Sequence, residues 1–293
     1  MPKIAVIGII GESVFLTVDK HQAVGETAHA SSIHRELGGK GYNQAVAAAR
    51  FGAEVSFLTA ISRDDELAVR KVADEDGIKL TLATGDTPSP YGVIVTDSTG
   101  DNRVTVYGGA QLTVDDVEKY RESIKEADVL LINNEVPEAV NIRACEIARE
   151  SDTRILLNPA PLRPISEYLL DSVDLFTPNE HECEALVGMK NVIVTIGKDG
   201  SKTLWDDRVH PTVRIDRVVD TTGAGDTYSG VLAALIGERV ESGELGAGDS
   251  LSTLDMTNII RVANAAASLE VTRQFVLPAI PNRREVMDLL NKQ

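Results

Sequence analysis

Short, continuous apolar runs alternate along this chain with stretches of helical periodicity, and this alternation limits what the chain can fold into. A strand that is apolar on both faces must be buried on both, which is typical of a parallel sheet covered by helices. The 293 residues are ample for such a sheet and its core. We therefore predict an α/β fold with a mostly parallel sheet between helices. The predicted strands are Ile4–Ile10, Val55–Ala60, Val129–Asn133, Ile155–Asn158, Leu175–Thr177 and Val192–Ile196, and the predicted helices are Tyr42–Phe51, Asp65–Asp76, Glu138–Glu150, Glu180–Val187, Val231–Ile236, Thr257–Leu269 and Arg284–Leu290.

Two segments interrupt the alternation. Residues 13–37 carry little helical pattern, and residues 91–109 contain two β-rich runs around a polar turn with Gly100. A polar turn with glycine between β-rich runs indicates a hairpin. We predict that both segments form a small β lid inserted in a single domain that spans residues 1–293. From the pattern alone, ordinary surface loops and hairpins remain the alternative.

Composition excludes several classes of partner. Lys and Arg number 29 against 45 Asp and Glu, which gives a formal charge of −16. Such a charge repels phosphate backbones and anionic lipids, so we expect neither a nucleic-acid nor a membrane partner. No apolar run approaches the roughly 20 residues of a membrane-spanning helix. The two cysteines, Cys145 and Cys183, have no metal-binding or redox spacing, so we expect reduced thiols in a cytoplasmic protein.

The strongest local motif is Asp-Thr-Thr-Gly-Ala-Gly-Asp at residues 220–226, between a β-like run (Val213–Val219) and a helical stretch (Tyr228–Ile236). Its glycines permit a tight turn that aims the amides of residues 223–225 at an anion near a helix N-terminus. Asp226 beside that anion is suited to accept a proton from a hydroxyl, since an ordinary aspartate is ionised at neutral pH. The alternative is a plain turn with Asp226 as the N-cap.

The second motif, Gly-Gly-Lys-Gly-Tyr-Asn-Gln at residues 38–44, precedes an alanine-rich helical stretch. A glycine-rich backbone with Lys40 and Asn43 suits a hydroxyl-rich small molecule, although a flexible turn explains the glycines equally well. The spacing is not that of a Walker A loop.

Two further motifs follow in the second half of the chain. Asn179 and Glu182 lie three apart, so their oxygens could share one helix face and hold Mg²⁺; a capping pair is the alternative. The run Thr195–Gly200 ends an apolar strand with glycines at positions 197 and 200. Those glycines allow either the close approach of a ligand or a simple turn into the next strand.

These four motifs, in this order, closely resemble the ribokinase (PfkB) family of sugar kinases. The resemblance covers nearly the whole chain and includes Leu-Asn-Pro-Ala-Pro at residues 157–161. It implies a ribokinase-like fold, a parallel sheet between helices with a small β lid that often forms a homodimer. It also implies transfer of phosphate from ATP, with Mg²⁺, to a hydroxyl of a sugar or nucleoside.

The resemblance also assigns roles to individual residues. It implies a general base at Asp226 and an anion hole at Gly223, Ala224 and Gly225. The implied substrate contacts are Gly39, Lys40, Asn43 and Glu135. The implied contacts to Mg²⁺ and phosphates are Asn179 and Glu182, and the implied contacts to the nucleotide are Asn179, Thr195, Gly197, Gly200 and Asn264.

Three departures from the family limit this assignment. Where the family has an Asn and an Asp that bind ribose hydroxyls, this chain has Gly11 and Ser13, so ribose loses hydrogen-bond partners in the predicted substrate site. The family's K⁺ site is matched in part by Asp220 and Thr222, but Phe275 replaces a glycine whose carbonyl takes part. The connection of residues 188–192 lacks an extra helix, which leaves the nucleotide side more open.

The leading hypothesis is an ATP-dependent kinase of a sugar or sugar-like alcohol. A nucleoside kinase is the second, because the substrate site has lost an acidic residue. The third is a non-catalytic sensor of sugars or nucleotides on the same fold, since a fold does not fix an activity. The intact Asp226 with its Gly-Ala-Gly turn favours catalysis, because a sensor has little need of a base.

Overall fold

Six parallel strands form the central sheet of the computed structural model, which describes residues 1–246, 248–251 and 254–292. In chain order these strands are β1 (Lys3–Ile7), β4 (Glu54–Ser62), β5 (Lys79–Gly85), β8 (Val129–Asn133), β9 (Arg154–Asn158) and β10 (Leu175–Phe176). They are arranged as β10-β9-β8-β1-β4-β5, and each adjacent pair is parallel.

The other strands belong to two smaller sheets. Their bounds are β2 (Gly11–Thr17), β3 (Ser32–Gly38), β6 (Tyr91–Thr96), β7 (Asn102–Tyr107), β11 (Ile193–Thr195), β12 (Ser201–Thr203) and β13 (Val209–His210). The helices are α1 (Lys40–Arg50), α2 (Glu66–Glu75), α3 (Val114–Lys119), α4 (Arg121–Lys125), α5 (Glu138–Arg149), α6 (Glu167–Ser172), α7 (Ala224–Glu241), α8 (Thr257–Glu270) and α9 (Arg283–Leu290). No helix in the described part of the chain is long and apolar enough to cross a bilayer.

The central strands are buried on both faces, as their continuous apolar runs predict. In β1, Ile4 and Val6 face one cluster of buried side chains, while Ala5 and Ile7 face another. Helices α1, α2, α7, α8 and α9 contribute to the first cluster, and α3 to α6 contribute to the second. The predicted parallel sheet between helices is confirmed.

Helices α1 and α7 approach one another closely on the first face. At Gly230 in α7, a Cβ atom would overlap the backbone carbonyl of Gln44 in α1. The start of α1 also touches the end of β1, because a Cβ at Gly8 would lie 2.6 Å from the Cα of Gly41. Small residues therefore hold two helices and the central strand in backbone contact at the end of the sheet where the second motif lies.

A separate four-stranded sheet, β3-β2-β6-β7, is the predicted lid. Its strands alternate between two faces. Glu12 lies on the outer face and pairs with Arg35 at 3.0 Å, whereas Ser13 and Phe15 lie on the inner face. The edge strand β7 is exposed along its whole length.

Two predicted elements are wrong. The β-like run Val213–Val219 is irregular, because the amides of Val219 and Asp220 donate to the carbonyl of Val271 instead of to a neighbouring strand. The predicted helix Glu180–Val187 is only a short 3₁₀ turn at Glu182–Ala185. The chain then reaches Gly188, whose φ of 85° is incompatible with a helix.

Candidate active site

Asp226 lies in the first turn of α7, directly after the glycine turn. The residue before the helix, Gly223, has φ 92° and ψ −10°, a left-handed conformation that glycine adopts without steric cost. Asp226 is therefore the third helical residue and not the N-cap, so the plain-turn alternative for this carboxylate is wrong. Its side chain is buried, with 5% of the residue exposed.

Two amide side chains from α1 hold the Asp226 carboxylate. Asn43 donates its Nδ2 to one oxygen at 2.9 Å, and Gln44 donates its Nε2 to the other at 3.1 Å. Gln44 also donates to Asn158 Oδ1 at 3.1 Å, and Asn158 in turn donates to the carbonyl of Thr177 at 2.8 Å. Gln44 and Asn158 were not among the predicted site residues, although both lie in the motifs that carry the resemblance.

Burial and one cation determine the electrostatics of this centre. Burial raises the pKa of Asp226 above its ordinary value, and the nearby Lys40 ammonium opposes that rise, as do the hydrogen bonds from Asn43 and Gln44. The pKa of Lys40 is raised, chiefly by Asp226 and then by Glu135 and Glu182, against the effect of its burial. Asp226 is thus a stronger base than the ordinary aspartate that the sequence suggested.

Glu135 completes the ionisable groups around Lys40. It follows β8 and accepts a hydrogen bond from the amide of Gly41 at 3.4 Å. Burial raises the pKa of Glu135 to about 8, with Lys40 lowering it and Asp226 raising it further. The structure therefore brings Lys40, Glu135 and Asp226 together from three separate parts of the chain.

The amides at the start of α7 are open to a ligand. Within the described residues, those of Gly223 and Gly225 donate to no acceptor, and that of Ala224 has one long contact of 3.4 Å with the Thr221 carbonyl. The first amides of a helix have no intrahelical partners and favour an anion. The anion hole at residues 223–225 stays a prediction, and these open amides are the groups that it requires.

Among the predicted substrate residues, Asn43 contacts Asp226 directly, and Lys40 and Glu135 act on it through their charges. Gly39 precedes α1 with a φ of 120°, and the buried Oδ1 of Asn43 has no hydrogen-bond partner among the described residues. A Cβ at Gly38 would lie 3.3 Å from Ser13 Oγ and 3.7 Å from Asn43 Oδ1, so both oxygens converge there. Gly11 offers no side chain, and one could not be added, because a Cβ would overlap the carbonyl of Pro90.

A cleft of about 830 Å³ adjoins the predicted anion hole. It brings together the predicted nucleotide contacts and the turn before α7, including Asn179, Thr195, Gly197, Gly200, Ala224 and Asn264. Asn264 is buried at the cleft and donates its amide to the carbonyl of His210 at 2.9 Å. The cleft is thus continuous with the amides that would hold a transferred phosphoryl group.

Asn179 and Glu182 form a reciprocal capping pair. Asn179 Oδ1 accepts from the Glu182 amide at 2.8 Å, and Glu182 Oε2 accepts from the Asn179 amide at 2.9 Å. The capping interpretation therefore describes their local geometry. Glu182 Oε1 receives no hydrogen bond from any described residue, and its charge acts on Lys40, so this oxygen remains available to a hydrated Mg²⁺.

The loop after α8 contacts both the lid and the turn that carries the predicted anion hole. Phe275, with a φ of 67°, stacks on His34 of the lid at 3.6 Å between ring centroids and meets Phe15 edge-on at 5.6 Å. Glu36 of the lid accepts a hydrogen bond from the amide of Val276 at 3.0 Å. The side chain of Val276 packs against Gly223, so these contacts link lid position to the turn before α7.

The predicted cation residues lie behind the same turn. The amide of Thr222 donates to Asp220 Oδ1 at 2.9 Å. Near them is Glu270, which the sequence analysis missed; only 1% of it is exposed, and neither of its carboxyl oxygens has a hydrogen-bond partner among the described residues. Burial raises the pKa of Glu270 to about 9. The sequence gives one signal for it, a charged residue at the buried end of an alanine-rich helix.

Comparisons with known proteins show which family this chain resembles. A model of the pfkB family of carbohydrate kinases matches residues 1–283. A ribokinase of Bacillus subtilis (strain 168) is 32% identical over 312 residues, which cover 99% of this chain and 100% of that relative. The structure of Arabidopsis thaliana ribokinase complexed with ribose and ATP is 27% identical, with a TM-score of 0.81 over 99% of this chain and 98% of that one.

One relative is longer than this chain. A bifunctional ribokinase/ribose-5-phosphate isomerase A of Fructilactobacillus sanfranciscensis is 32% identical over 323 residues. All of this chain aligns with it, but the chain spans only 57% of the relative's length.

Proposed function

This chain belongs to the pfkB family of carbohydrate kinases, as an ATP-dependent sugar kinase of the ribokinase type, and we propose that Asp226 is its general base. The acceptor is a hydroxyl of a sugar or sugar-like alcohol. The single observation that carries the proposal is the placement of a buried carboxylate, oriented by Asn43 and Gln44, beside helix amides that lack acceptors.

The reaction follows from these positions. The acceptor oxygen forms a bond to the γ-phosphorus, the bond from that phosphorus to the β–γ bridging oxygen breaks, and ADP leaves with the bond's electron pair. The hydroxyl proton passes to an oxygen of Asp226, whose raised pKa makes it a better acceptor at neutral pH. The amides of residues 223–225 and the Lys40 ammonium stabilise the charge on the transferred group.

We propose that Glu182, oriented by Asn179, holds Mg²⁺ through its free oxygen and through water. When bound, Mg²⁺ neutralises the phosphate oxygens of ATP. We place K⁺ near Asp220 and Thr222, where the unpartnered oxygens of Glu270 provide the oxygen chemistry that an alkali ion requires. Thr195, Gly197, Gly200 and Asn264 then contact the nucleotide in the adjoining cleft.

The acceptor is bound by Lys40, Asn43 and Glu135. The unpartnered Asn43 Oδ1 supports this assignment, because a buried acceptor without a donor is satisfied by a substrate hydroxyl. Gly11 contributes backbone only, and Ser13 offers one hydroxyl. We therefore propose an acceptor with fewer or differently placed hydroxyls than ribose.

We further propose how the chain is organised. Residues 1–293 act as one kinase domain, with the lid at about 13–37 and 91–109. The exposed edge strand β7 carries Val104, Val106 and Tyr107, which suits a homodimer formed through the lid. We propose a cytoplasmic location, where ATP and free thiols both persist. Light scattering that gives the mass of one chain at working concentration would contradict the dimer.

The test is ADP release from ATP and Mg²⁺ with a panel of pentoses, hexoses, sugar phosphates, polyols and nucleosides, followed by Asp226→Asn on the best acceptor. We expect kcat to fall at least about 100-fold while ATP binding, measured by calorimetry, is retained. Asp216→Asn, at an exposed position on the loop before α7, is the matched control and should keep full activity. An unchanged rate in Asp226→Asn would exclude this residue as the base.

A further inference from the structure

Asn158 is the last residue of β9 and belongs to the Leu-Asn-Pro-Ala-Pro motif, which the proposed reaction does not use. Its side chain is buried, with 4% of the residue exposed. The Nδ2 group donates to the carbonyl of Thr177, directly after β10, at 2.8 Å. A backbone carbonyl can only accept, so this bond fixes which end of the Asn158 amide is the oxygen. Asn158 Oδ1 therefore faces Gln44 as an acceptor.

The amide of Gln44 is oriented from both of its ends. Its Nε2 group donates to Asn158 Oδ1 and to Asp226 Oδ1, each at 3.1 Å, which uses both of its hydrogens. Its Oε1 accepts from Asn133 Nδ2 at 3.5 Å, and Asn133 Oδ1 in turn accepts from the amide of Glu135 at 3.0 Å. Reversal of the Gln44 amide would therefore set oxygen against oxygen at both Asn158 and Asp226.

Asn43, the other donor to Asp226, is not fixed in this way. Its Oδ1 has no hydrogen-bond partner among the described residues, so no protein group other than Asp226 sets the direction of its amide. Gln44 is thus the donor whose direction is fixed independently of the charge on Asp226. A fixed N–H donor stabilises a carboxylate over the neutral acid.

We propose that Asn158 is a positioning residue, which holds the Gln44 amide as a donor to Asp226 and thereby keeps this carboxylate ionised and aligned. The inference rests on Asp226 as the base of the proposed reaction. Three ionisable groups on the surrounding elements also act on Asp226, and a substitution at residue 158 alters none of them. These groups are Lys40 of α1, Glu135 after β8 and Glu270 of α8.

The test measures the pKa of Asp226 directly and without turnover. Aspartate labelled with ¹³C at the carboxyl carbon is incorporated, and the Asp226 resonance is identified by its loss in Asp226→Asn. Asn158→Leu has a similar shape but no amide. We expect the pKa of Asp226 to rise by about 1 in this variant, because the donor to its carboxylate is no longer held in place. The acid limb of the pH profile of kcat/KM should move upward by the same amount, and Asn158→Ala should give the same result.

A double variant tests whether Asn158 acts through Gln44. Gln44→Met should raise the pKa of Asp226 by itself, and adding Asn158→Leu to it should raise that pKa no further. Asn191→Leu is the matched control. Asn191 also donates to a backbone carbonyl at 2.8 Å, that of Val173, but within the described residues it has no hydrogen bond to Gln44. This control should lower the Tm and leave the pKa of Asp226 unchanged.

A lower Tm with an unchanged pKa of Asp226 in both Asn158→Leu and Asn158→Ala would show a role in packing alone and would overturn the proposal. Additive rises in the double variant would overturn the route through Gln44. Activity retained in Asp226→Asn would instead refute the base, and it would leave the effect of Asn158 on the pKa of Asp226 to be judged by NMR alone.

Discussion

Replacing Gly223 by alanine adds one methyl group at the turn that positions the anion hole. The φ of this residue is 92°, a conformation that costs an L-residue about 1–2 kcal/mol. The new Cβ would lie 2.5 Å from Val276 Cγ1 and 2.9 Å from Glu270 Oε1, so the loop after α8 must shift. Overpacking of this kind costs about 1–3 kcal/mol more.

Together these terms destabilise the protein by about 2–5 kcal/mol. We expect a loss of about 3–8 °C in Tm for a chain of 293 residues. The kcat should fall about 100-fold or more, because the amides that we propose to hold the phosphoryl group move with the turn. Differential scanning calorimetry and steady-state ADP release measure the two effects.

Gly225, in the same Gly-Ala-Gly sequence, is the matched control. A Cβ there meets no heavy atom within 4 Å, and its φ is not positive. Gly225→Ala should therefore keep or slightly raise the Tm, since alanine favours a helix. Its methyl group enters the nucleotide cleft, so the KM for ATP should rise. Equal Tm values for the two variants would refute the assigned strain at Gly223.

Three further outcomes are expected. Burial raises the pKa of Glu135 to about 8 from an ordinary 4.5, so the folded state binds this proton more tightly than the unfolded state does. The stability that this proton contributes is lost as the pH rises from about 4.5 to 8. Over that range the Tm of Glu135→Gln should therefore fall less than the Tm of the unmodified protein, and parallel Tm–pH curves would contradict this. Ser13→Asp places a hydrogen-bonding carboxylate near Asn43 Oδ1, and it should raise kcat/KM for ribose about 10-fold relative to kcat/KM for the best native sugar substrate. A fall in kcat/KM for both substrates would show that the pocket rejects the charge. His34→Ala removes the ring stacked on Phe275 and should raise the KM for the acceptor about 3–10-fold at nearly constant kcat, whereas an equal loss in kcat would place His34 in the chemical step.

The parallel arrangement and the burial of most central strands could be predicted from the sequence, because each apolar run is buried on both faces of one sheet; their order could not. For the run at residues 213–219, the same reasoning predicted a strand that the structure does not contain. Its valines favour a strand, but Val218 and Val219 remain exposed, and the segment attaches to the end of α8 through the carbonyl of Val271. Local composition does not reveal whether a neighbouring strand exists to pair with such a segment.

The site was predictable where function requires unusual local sequence, as in the glycine turns before α1 and α7. Gln44 and Glu270 could not be predicted as site residues, because their contacts depend on which distant parts of the chain pack against them. Gln44 matters because α7 places Asp226 within 3.1 Å of its amide. Glu270 matters because the loop after α8 folds back over Gly223, which the sequence around Glu270 does not indicate.

The contact between α1 and α7 at Gly230 affects when the active site is assembled. Asn43 and Gln44 are on one helix and Asp226 on the other, so the proposed base and both of its amide donors are already held together in the structure without a sugar. We therefore expect any movement of the lid to change access to Asp226 without realigning it. In hydrogen-exchange experiments, the amides of these two helices should exchange equally slowly with and without acceptor, while those of β2 and β3 should slow when the lid closes.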